Sequence, residues 1–121
     1  MGDKEALQAH TSGADNNALG YGALKALTTG TNNTGLGKNS RASAVDATNQ
    51  TVIGYEATGQ ADNSVVLGND SVTAVYMAED SGAKVYAGEG SFTGDMTIGG
   101  DVTVSSDARL KSNIISEQRT F

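Results

Sequence analysis

Cysteine is absent from these 121 residues, which excludes a disulfide framework and a thiolate metal site and leaves the redox compartment open. Tryptophan and proline are absent as well. Large apolar residues are scarce: Leu, Ile, Val and Phe together make 22 of the 121, about 18%. Chains below about 20% with strong net charge fall in the range where disorder is common. A lone chain this poor in large apolar groups has little with which to offset the conformational entropy lost on folding. Either it stays disordered, or it builds a regular, repetitive core and completes it with other chains. Basic residues are few, the formal net charge is −6, and Lys and Arg never cluster. That argues against binding nucleic acid through its phosphates. No apolar run approaches the roughly 18 residues of a membrane-spanning helix, and no signal-peptide pattern is present. The start, Met1-Gly2 followed directly by Asp3-Lys4-Glu5, leads us to expect a piece of a longer protein.

What the chain does have is repetition. Four copies align on one glycine: Asn16-Asn17-Ala18-Leu19-Gly20, Asn33-Thr34-Gly35-Leu36-Gly37, Gln50-Thr51-Val52-Ile53-Gly54 and Ser64-Val65-Val66-Leu67-Gly68, with spacings of 17, 17 and 14 residues. The residue before the glycine is always aliphatic: Leu19, Leu36, Ile53, Leu67. The third residue after it is small (Ala23, Ser40, Ala57, Ser71), and the seventh is apolar (Leu27, Ala44, Ala61, Val75). Asp15, Asn32, Asn49 and Asn63 stand five before it. A fixed short period with recurring punctuation marks a repeat architecture, and this one fits two short strands and two turns per coil. Asn, Asp and Gly supply the turns. We expect Leu19, Leu36, Ile53 and Leu67, and the apolar position seven on, to project into the coil interior as structural core. By strand alternation, Ala18, Gly35, Val52 and Val66 then face the other way, toward another copy of the chain. Residues 1–13, with one Leu and no amphipathic stripe, read as a leader or frayed helix.

The repeats resemble the head of YadA-like trimeric adhesins, most closely at Asn63-Ser64-Val65-Val66-Leu67-Gly68-Asn69-Asp70-Ser71. The longer copies look like the variant that phage fibres carry. That resemblance implies a left-handed parallel β-roll, or β-solenoid, over 14–75, built by a homotrimer.

Downstream, Phe92, Gly94, Met96 and Ile98 alternate with Thr93, Asp95 and Thr97, and Val102 and Val104 resume the pattern after Gly99-Gly100. Alternation of this kind reads as half-buried strand. A hairpin of this size is marginal alone, so we expect an intertwined three-chain β-prism over 76–105. Then comes Ser106-Asp107-Ala108-Arg109-Leu110-Lys111. On its own this is a credible cap for a short C-terminal helix, since Ser and Asp suit the N-cap. It also resembles the opening motif of the endosialidase-type intramolecular chaperone, a self-cleaving C-terminal domain of phage tail fibres and tailspikes. The resemblance implies catalytic Ser106 and Lys111, with Asp107 and Arg109 as motif residues, and one scission between Ser105 and Ser106. Residues 106–121 would be the truncated start of that chaperone. Lys acts as a base toward a Ser hydroxyl only if its pKa is lowered, and 16 residues cannot build the surroundings, so this chain itself is expected not to be an enzyme.

Other chemistry is thin. His10 is the lone histidine, and the glycine-rich calcium-binding repeat and a phosphate loop are both missing, so no cofactor and no metal is expected. Tyr21, Tyr55, Tyr76 and Tyr86 are candidates for stacking on sugar faces. The resulting expectation is an all-β structural and adhesive segment of a trimeric phage tail fibre. It would be located on the virion, extracellular after release, with a host-surface glycan or protein receptor as partner, and with neither nucleic-acid binding nor membrane insertion. The alternative is the head of a trimeric autotransporter-type surface adhesin, which would share the roll but not Ser106 to Arg109.

Overall fold

The computed structural model describes residues 4–105. The chain divides into two units, Met1–Ala83 and Lys84–Phe121. The first unit is all-β and carries one sheet of four short parallel strands: β1 (Asn17–Leu19), β2 (Thr34–Leu36), β3 (Gln50–Ile53) and β4 (Ser64–Leu67). They lie in sequence order. Parallel neighbours need a crossover of a dozen or so residues, and the 17-residue period supplies it without a helix. The register follows the sequence repeat residue for residue: Leu19 pairs with Leu36, Leu36 with Ile53, and Ile53 with Leu67. Isolated parallel bridges Thr31–Thr48 and Arg41–Thr58 extend the same phase around the repeat.

Turns recur at fixed points because the backbone conformation recurs. Asp15, Asn32, Asn49 and Asn63 all have positive φ, between 53° and 62°, a region Asn and Asp enter more readily than other side chains. The glycine column is required twice over. Gly20 and Gly37 have φ of 122° and 126°. A Cβ on Gly37 would lie 2.7 Å from the carbonyl of Gly54, and one on Gly20 2.8 Å from Gly37.

The inside of the sheet is the reverse of the expected one. Val52 is fully buried, and Ala18 and Val66 are partly so, whereas Leu19, Leu36, Ile53 and Leu67 are 57, 41, 36 and 49% exposed. Strand alternation separates the two sets but does not say which set is inner. Space decides it. Leu24, buried at 48° φ, crosses under the sheet, and a Cβ on Gly35 would sit 2.5 Å from its Cγ. Ala23, Ser40 and Ala57 fill the rest of a narrow interior, which leaves no room for a second row of leucines. Of the apolar position seven after the glycine, only Leu27 is buried; Ala44, Ala61 and Val75 are exposed. Leu24, Leu27 and Ala47 form the buried cluster, with Leu7, Ala18 and Ala42 packed against it.

The expected leader helix is not formed by residues 4–13. Glu5 and Leu7 have φ of 65° and 51°, which a right-handed helix cannot contain. Instead the amides of Leu7, Ala9 and Thr11 donate to the carbonyls of Ala23, Lys25 and Thr28 at 3.0, 3.1 and 2.9 Å. The segment therefore continues the repeat one step backward. In the second unit the described residues, 84–105, contain no strand, and Phe92, Met96, Ile98 and Val102 are exposed. The β-prism expected over 76–105 requires three chains, and within a single chain residues 76–105 form no strand. The expected C-terminal helix lies outside the described residues.

Candidate functional site

Ser106, Asp107, Arg109 and Lys111 also lie outside the described residues. Among the described residues, no group of three or more His, Cys, Asp or Glu could hold a metal ion, and no helix is long and apolar enough to cross a membrane. Three further features are produced by the same repeat, two of them surfaces and one internal.

The first is the outer face of the sheet. Leu19, Leu36, Ile53 and Leu67 occupy one register position on successive strands. They form a continuous aliphatic row with a rise of about 4.8 Å per strand. Asn17, Thr34, Thr51 and Val65 run beside it. A row of four adjacent exposed aliphatic side chains is a contiguous apolar patch, unlike scattered single ones.

The second lies just beyond the glycines. The backbone bond Gly22 N–H to Lys4 C=O (3.0 Å) repeats as Asn39 to Tyr21 (2.8 Å) and Glu56 to Lys38 (2.9 Å). On the last repeat the side-chain amide of Asn69 donates to the Tyr55 carbonyl at 2.7 Å. Lys4, Tyr21, Lys38, Tyr55 and Asn69 are therefore one column, in which cation and aromatic alternate. Lys4, Tyr21, Lys38 and Tyr55 are exposed. Lys25 pairs with Glu5 at 2.6 Å; the hydrogen bond holds the Glu5 carboxyl below its ordinary range and raises the Lys25 ammonium. A hydrogen bond to Glu56 raises the Tyr55 phenol. A cleft of about 460 Å³ opens beside the column, with Lys25 and Arg41 in its lining.

The third feature is internal and was missed in the sequence. Asn16, Asn33 and Gln50, four before each glycine, form a polar ladder under the sheet edge. The Asn16 side-chain oxygen accepts from the Asn33 backbone and side-chain amides, both at 3.0 Å. The Asn33 oxygen accepts from the Gln50 backbone amide at 3.0 Å. Asn33 Nδ2 also donates to the Ala47 carbonyl at 2.7 Å, and Asn16 Nδ2 donates to that of Gly30 at 2.7 Å and lies 3.1 Å from His10 Nε2. The signal was the adjacent pair Asp15-Asn16, Asn32-Asn33, Asn49-Gln50: one member turns the chain and the other ties repeats together. At the shortened third step, Gln50 Nε2 donates to Ser43 Oγ at 2.6 Å and to Asp62 Oδ1 at 3.0 Å. The Thr48 backbone amide donates to the same Asp62 oxygen at 2.8 Å. These donors, Thr48 first, hold the Asp62 carboxyl below its ordinary range.

No family model matches the chain, and no curated protein and no solved structure is significantly similar to it.

Proposed function

We propose that this chain is a structural and adhesive segment of a trimeric phage tail fibre, in which the repeats wind as a β-roll. Three copies would pack through the outward row of Leu19, Leu36, Ile53 and Leu67. The single observation that carries the reading is that row: it is regular, apolar, exposed and in register over four strands. Complete burial of such a side chain from full exposure is worth about 1.5–3 kcal/mol, and these four retain 36–57% of their exposure, so covering the row supplies roughly half of that at each position. The alternating residues of 84–105 support the same assembly, because three chains give each one the neighbours it lacks alone. The resemblance of Ser106 to Lys111 to a chaperone opening adds that a longer parent would cut itself once before Ser106, with Lys111 as base to Ser106.

Native mass settles the first part: a trimer at micromolar concentration is expected, and a folded monomer defeats it. For the second, intact-mass analysis of a longer parent should give a product beginning at Ser106, and Ser106→Ala should abolish it. A parent that stays whole, or a variant cut as readily as the natural sequence, removes the dyad and leaves a helix cap.

A further inference from the structure

We infer that the column Lys4, Tyr21, Lys38, Tyr55 is a binding track for an extended anionic polysaccharide lying along the stack of repeats. The inference rests on the adhesive reading above and names its ligand class.

The column is linear because the register is. Every step is one inter-strand spacing of about 4.8 Å, so the two lysines recur at roughly 10 Å and so do the two tyrosines. Tyrosine offers a rigid apolar face with a polar tip, suited to the C–H face of a sugar ring. Lysine offers a compact ammonium for a carboxylate or sulfate. Among the described residues Lys4, Lys38 and Arg41 make no ion pair, so their charge is available. Arg41 also lines the cleft beside the track.

The alternation selects among linear polymers. A neutral glycan would leave the ammonium groups without a counter-charge. A nucleic acid carries a phosphate at every residue, and its backbone would meet the exposed Glu56 carboxylate next to Tyr55. A polysaccharide with one acid group per two sugars places its charge at the lysine steps and its hydroxyl-bearing neutral ring at the tyrosine steps. There Glu56 and the tyrosine phenols can accept or donate to hydroxyls. A protein surface has no reason to present ring faces at this fixed linear interval.

The test uses the full 121-residue chain in affinity gel electrophoresis, with sodium hyaluronate cast into the gel as probe, because it bears one carboxylate per two sugars. Dextran and oligodeoxythymidylate are the comparison polymers. Retardation by hyaluronate alone is expected, weakening as salt screens the lysines. Lys38→Glu should reduce affinity about tenfold or more, by loss of one cation and gain of a like charge. Tyr55→Ala should reduce it with an unchanged circular dichroism spectrum, whereas Lys84→Glu, the same charge change off the track, should leave it unaltered. The inference is overturned if hyaluronate does not retard the chain, if dextran or oligodeoxythymidylate retards it equally, or if Lys84→Glu weakens it as much as Lys38→Glu. Sedimentation of the same samples separates the two claims. A trimer that ignores hyaluronate removes only the track, and a monomer that binds it removes only the trimer.

Discussion

Residues 14–67 and residues 84–105 both carry short apolar runs set between glycines and polar residues, yet only the first stretch forms a sheet. In the first, each strand finds an identical strand one period later, so its backbone is paired and Val52, Ala23, Leu24 and Ala57 are buried. In the second, the alternating pattern occurs once on each side of Gly99-Gly100, neither run forms a strand, and Phe92, Met96, Ile98 and Val102 stay exposed. Alternation describes a surface ready for a partner. Repetition is what provides the partner within one chain, and assembly is the other way to provide it.

That contrast breaks most sharply at two neighbouring residues. Val52→Asp puts an unpaired charge in the interior and should cost about 3–5 kcal/mol, enough to abolish the thermal transition of the repeats. Ile53→Asp, one residue along and 36% exposed, should leave a single chain folded and instead prevent self-association in sedimentation. If Ile53→Asp unfolds a single chain and Val52→Asp does not, the assignment of inner and outer faces is reversed.

Next in size is Asn33→Ala. It strands the Gln50 backbone amide under the sheet, while the Ala47 carbonyl keeps the Thr31 amide at 3.1 Å, and should lower stability by about 1–3 kcal/mol in denaturant titration. The substitution Thr93→Ala, in the unrepeated stretch, should stay within about 0.5 kcal/mol. Equal effects would mean that the ladder ties nothing together.

Acid should act on the repeats through Asp62 and Glu5. Both carboxyls are held below their ordinary ranges, so the folded form binds their protons less readily than the unfolded form. Their contribution is therefore present above the unfolded pKa and is lost as pH falls through the lower, folded one. The melting temperature should drop between about pH 5 and about pH 3, and Asp62→Ala should flatten that drop. An identical pH profile in the variant counts against the Asp62 clamp on Thr48 and Gln50.

The smallest effect has the opposite sign. Ser40 is fully buried and its hydroxyl has no hydrogen-bond partner among the described residues, while Ala23 and Ala57 hold the same position in the repeats on either side. Ser40→Ala should raise stability by about 1 kcal/mol, seen as a higher melting temperature. A lower one would show that the hydroxyl has a partner after all.

The sequence by itself determined the period, the strand positions and the register. A 17-residue repeat of Asn, aliphatic and Gly can satisfy its backbone only by pairing each copy with the next, and β1 to β4 fall at the four motifs. It also determined the turns, because Asp15, Asn32, Asn49 and Asn63 are residue types that accept positive φ. The tertiary structure alone decided which face is inner. A period of two is symmetric between the faces, and the choice depended on Leu24 needing the space that Gly35 leaves. It alone showed that residues 4–13 extend the repeat, since no local pattern there repeats the motif and the bonds go to Ala23, Lys25 and Thr28. It alone joined Lys4, Tyr21, Lys38 and Tyr55 into one column, because residues 17 apart become neighbours only when the strands between them are paired.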